Sequence, residues 1–64
     1  MSVKMIEALE LAIATEVEGR DNYEYMAQLA EDPETRLLCE QIAREENEHF
    51  KLLSDRLKAI KLLG

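Results

Sequence analysis

Three residues of this chain have the side-chain types and spacing that cation chemistry uses: Glu16, Glu46 and His49. Glu46 and His49 stand three apart, so on a helix they lie on one face about one turn from each other and can offer two ligands to one cation. Glu16 brings a second carboxylate from an earlier part of the chain. Each residue also has an ordinary reading. A glutamate in the apolar stripe of a short helix commonly reaches solvent with its carboxylate, and a single core histidine is commonly just hydrogen-bonded. Arg20, one turn beyond Glu16, can pair with it. The two readings part on whether the three residues share a face and a level, which depends on the elements that carry them.

Those elements are helices. Ala, Leu, Glu, Lys, Met and Gln dominate the chain, and no segment alternates apolar and polar residues long enough to form a strand. The one strong punctuation is Glu31-Asp32-Pro33-Glu34. Proline biases its predecessor out of the helical region, which predicts a first helix over Ser2–Glu31. Asp32 then caps a second helix over Pro33–Leu62, with Pro33 at its first position and Glu34 favourable in its first turn. So short a connection makes the helices antiparallel, each roughly 45 Å long. Gly19, inside the first helix, is unfavourable relative to alanine; it reads either as a point of close helix approach or as a locally weak turn.

At about 100° per residue, the arc around Glu16 holds Met5, Leu9, Ala12, Ile13, Gly19, Arg20, Tyr23, Ala27 and Ala30. The arc around Glu46 holds Cys39, Ile42, Ala43, His49, Phe50, Leu53, Leu57 and Ile60, while Glu40, Arg44, Asn47, Glu48, Lys51, Asp55 and Lys58 point away. Both carboxylates and the only histidine thus lie on the stripes that face the interior. Their sequence distances from the turn are nearly equal, so they meet at one level of an antiparallel pair. Two ionised carboxylates repel in a dry seam, and a cation is the simplest partner that makes the arrangement favourable.

With 64 residues the chain is one small domain over 1–64, of a size that normally needs a disulfide framework, a metal or a partner subunit. One cysteine, Cys39, cannot form an internal disulfide; it fits a reducing, cytoplasmic setting and reads as a small buried apolar residue. No apolar run is long enough to span a bilayer. Fourteen acidic against eight basic residues, a net charge of −6, argue against nucleic acid and anionic membrane as partners. A hairpin with one apolar face per helix cannot cover that face alone. The closed solution is a two-fold homodimer forming an all-α four-helix bundle. Its core then gathers four glutamates and two histidines, the ligand inventory of carboxylate-bridged di-iron bundles, and four carboxylates balance two divalent cations.

Glu16 followed seven residues on by Tyr23, then Leu29-Ala30, then Ile42-Ala43-Arg44-Glu45-Glu46-Asn47-Glu48-His49, resembles the ferritin-like superfamily in its rubrerythrin branch. The resemblance covers nearly the whole chain and is closest to the two-helix encapsulated ferritins. It implies that Glu16, Glu46 and His49 are iron ligands, two irons per dimer, with Glu16 or Glu46 bridging and manganese or zinc as possible substitutes. It implies a ferroxidase, oxidising Fe²⁺ with dioxygen or peroxide in iron storage or detoxification, and Tyr23 beside the ligands as a neighbour or radical sink. On its own residue type, Tyr23 reads more simply as a core tyrosine with its hydroxyl satisfied. An encapsulin shell is the partner such ferritins imply, yet the chain closes at Leu62-Leu63-Gly64 without their further helix and docking tail. The four-cysteine module of rubrerythrins is absent too.

Two other functions compete with the ferroxidase. A rubrerythrin-like peroxidase would use the same ligands with an external electron donor, whereas a metal-free helical dimerisation module would use none. Leu11, Tyr25 and Leu29, grouped on the polar back of the first helix, suggest a contact beyond the dimer.

Overall fold

The computed structural model describes residues 2–63; Met1 and Gly64, the ends of the expected domain, lie outside them. Two helices make up the fold: α1, Val3–Leu29, and α2, Pro33–Leu63, packed against each other as a hairpin. No strand occurs among the described residues. The all-α hairpin read from the sequence is therefore the observed architecture.

Local chemistry sets the helix ends. Ser2 caps α1, its hydroxyl accepting from the Met5 amide at 3.2 Å. Asp32 caps α2, its carboxylate accepting from the Thr35 amide at 2.8 Å, and Pro33 occupies the first helical position. That amide hydrogen bond holds the Asp32 carboxyl below the usual carboxylate range. α1 stops at Leu29 rather than at the expected Glu31, because Ala30 already adopts an extended backbone (φ −64°, ψ 127°). The chain reverses through Ala30, Glu31 and Asp32, and a reversal leading into a capped proline leaves those residues no helical option. α2 continues one residue past the expected Leu62.

Among the described residues only Ala27, Cys39, Ala43 and Ile60 are buried. Three of the four are small, which brings the helix axes close near the turn. The interior stripes read from the sequence are only partly covered, since two cylinders meet along a line and not across a face. Met5, expected inside, is exposed. Leu38 and Leu52, outside the stripe read for α2, are exposed as well. The molecule is a rod of 48 × 15 × 11 Å. Its radius of gyration of 14.7 Å exceeds the roughly 11 Å of a compact chain this long. Among the described residues no helix is long and apolar enough to cross a membrane.

Candidate metal centre

The hairpin sets the level of the candidate ligands. Glu16 lies thirteen residues before the end of α1 and Glu46 thirteen after the start of α2, so antiparallel packing brings them abreast. His49 follows one turn along α2. One ligand atom from each of Glu16, Glu46 and His49 lies within 4.8 Å of the others. Nδ1 of His49 stands 3.4 Å from Glu16 Oε2. All three residues expected to share a face and a level therefore do so.

The electrostatics of this cluster are unsatisfied. Glu16 Oε2 is buried and has no hydrogen-bond partner, although His49 Nδ1 stands 3.4 Å away. The Glu46 carboxyl is held above the ordinary carboxylate value, first by the adjacent Glu16 carboxyl as a hydrogen-bonding neighbour and then by partial desolvation. Repulsion from Glu16 adds to the rise; His49 opposes it, and the Glu45 charge contributes further. An orphaned carboxylate oxygen, a second carboxylate crowded against it and an imidazole within reach suit a divalent cation of the iron, manganese or zinc type.

His49 departs from the sequence reading: its side chain is 56% exposed, against 22% for Glu16. The imidazole sits on the open flank of the hairpin, so the cluster is covered on one side only. Tyr23 is half-buried on α1, and its hydroxyl does not satisfy Glu16 Oε2.

Arg20 does not pair with Glu16. Its Nη1 donates to Asn47 Oδ1 at 2.9 Å, its guanidinium pairs with Asp21 at 3.1 Å, and it lies over the Phe50 ring, 5.7 Å from the centroid. Asn47 was expected to point away from the core; it is half-buried and receives this bond. Arg20 thus ties α1 to α2 through the residues that follow Glu46 and His49, and leaves Glu16 free. The wheel missed this because Arg20 has a stem long enough to reach across the side of the pair. The only signal available was its position one turn beyond Glu16. Cys39 is buried and free, as expected.

A helical hairpin presenting a glutamate from one helix and Glu-x-x-His from the other is the half-unit of the ferritin-like bundles. Residues 7–62 match the rubrerythrin family model, and the chain belongs to that family, whose members are di-iron oxidoreductases of the ferritin-like superfamily. It is also similar to a protein of Archaeoglobus fulgidus described only as uncharacterized. The two are 44% identical over 57 residues, which cover 89% of each chain. No solved structure matches the chain.

Proposed function

We propose that this protein is a di-iron carboxylate oxidoreductase with ferroxidase activity, its site assembled across a homodimer interface. The observation that carries the reading is the convergence of Glu16, Glu46 and His49 with Glu16 Oε2 buried and unpartnered. Family membership supports iron as the metal. Bound iron supplies one-electron redox chemistry, the overall reaction being two Fe²⁺, one peroxide and two protons giving two Fe³⁺ and two waters. The chain's residues supply the rest. Glu16 and Glu46 provide the negative charge that holds the cation, and neutral His49 provides a nitrogen donor. The repulsion from Glu16 that helps hold the Glu46 carboxyl above its ordinary value would be relieved by a bound cation. Tyr23, half-buried on α1, stands as a neighbour to the ligands rather than one of them.

Shape and area support the dimer. The chain presents 4991 Å² of accessible surface, whereas a compact monomer of this mass presents about 4,200 Å². The excess, roughly 800 Å², is what each partner contributes to a standard interface. A second copy related by a two-fold axis would cover exposed Leu38 and Leu52 and close the open flank at His49. Two hairpins then make a four-helix bundle, the single domain of 1–64 being half of it. Leu11, Tyr25 and Leu29, all exposed, remain available for assembly beyond the dimer or inside an encapsulin shell. The single free cysteine suits a reducing cytoplasm.

Anaerobic loading with Fe²⁺ followed by a pulse of dioxygen or peroxide tests the activity. Stoichiometric appearance of Fe³⁺, lost in Glu46→Ala, is the expected result; oxidation no faster than in buffer contradicts it. The family match also favours a peroxidase using the same residues. Sustained peroxide consumption with an added reductase, at rates far above single-turnover iron oxidation, would identify that reaction instead.

A further inference from the structure

We propose that Gly19 is a positioning residue for Glu46: the side chain it lacks is the space that the Glu46 carboxylate occupies beside Glu16 and His49. This rests on the cation-binding reading of the cluster.

Glycine in the interior of a helix is unfavourable relative to alanine, so a reason for it is needed. Gly19 lies deep inside α1, far from either cap. Backbone conformation is not the reason, because no described glycine has a positive φ. Close approach of the helix backbones is not the reason either. A Cβ at position 19 would meet Glu46 Oε2 at 2.5 Å, Glu46 Cδ at 3.3 Å and Glu46 Cγ at 3.9 Å, and these are its three nearest neighbours. Every one belongs to the candidate ligand. On its outer side Gly19 borders only a shallow groove with Thr15, Glu18 and Asn22.

The clash would fall on the free end of a flexible side chain and not on backbone. Alanine at 19 would therefore leave the helices in place and swing the carboxylate away. Stability and cation binding then respond in opposite directions, which a purely structural glycine does not produce.

The experiment is a cycle of Gly19→Ala and Glu46→Ala, read by thermal melts with chelator at fixed protomer concentration and by calorimetric titration with Mn²⁺. In the Glu46→Ala background, Gly19→Ala should raise the melting temperature by roughly 4–8 °C. In the wild-type background the gain should be smaller, because the carboxylate has to move. Affinity for Mn²⁺ should fall roughly 10–100-fold in Gly19→Ala, the range seen when groups that orient a ligand are altered. Equal gains in both backgrounds, or unchanged Mn²⁺ affinity in a variant whose wild-type parent binds, would overturn the proposal. A wild-type chain that takes up neither Mn²⁺ nor Fe²⁺ overturns the cation-binding reading itself. The metal-free cycle then still decides the fit of Glu46 against Gly19, unequal gains upholding it and equal gains refuting it.

Discussion

A buried carboxylate oxygen without a partner is unfavourable, and Glu16 Oε2 is such an atom, with Glu46 crowded beside it. Removing either carboxylate has opposite consequences under the two readings of the cluster. If the site holds iron, Glu16→Ala and Glu46→Ala abolish iron binding and the iron-dependent rise in melting temperature. If the hairpin is a metal-free module, both changes stabilise it by relieving repulsion and leave metal content unaltered. Melts with and without Fe²⁺ under nitrogen separate the outcomes. Proton linkage gives a further test. The Glu46 pKa is higher in the folded protein than in the unfolded chain, so its contribution is full below the ordinary carboxylate range. That contribution is lost as pH rises through the folded value. Metal-free protein should therefore lose stability from this pair on going from acidic to neutral pH, while cation affinity should increase over the same interval. Chelator-treated melts across that range, compared with Glu46→Ala, check the sign. Glu16, Glu46 and His49 were legible as a cluster because helical period and distance from the turn are properties of the chain alone. The exposure of His49 was not, since a wheel assigns a direction without showing what stands opposite it.

Among the helices, the turn and the cross-tie carry the register that levels the ligands. Asp32 caps α2 through the Thr35 amide, so Asp32→Ala should lower the melting temperature by a few degrees without altering the ligands. The sign of its pH effect is opposite to that of Glu46. A lowered folded pKa means that the stabilisation is present above the ordinary carboxylate range and is lost as pH falls through the folded value. Arg20 fastens the helices at the level of the site through Asn47 and Phe50. Arg20→Met keeps the stem and removes the charge, and should destabilise the hairpin by about 1–2 kcal/mol, measured by denaturant unfolding. A value near zero would mean that apolar packing alone holds the register. The turn was legible because Asp32-Pro33 combines two strong local signals. Arg20 was not, since its partners lie across the hairpin and several rotamers reach other groups.

For the molecule as a whole, shape and exposed area support the proposal that two hairpins form one bundle. Its long axis is more than three times its next, and the cluster at mid-length is covered on one side only. Leu52 lies one turn beyond His49 and is 68% exposed, an arrangement that favours an interface. Leu52→Glu should convert a dimer to a monomer in light scattering and reduce iron uptake with it, although residue 52 supplies no ligand. The helical hairpin and its unfinished apolar face were legible from composition and periodicity, while the extent of the exposed flank required the two helices to be placed together. The most direct measurement of the central claim is metal analysis of protein purified with iron, taken together with its mass in solution. Two irons per dimer is the predicted result. A monomer, or a dimer free of iron after anaerobic loading, would contradict the account.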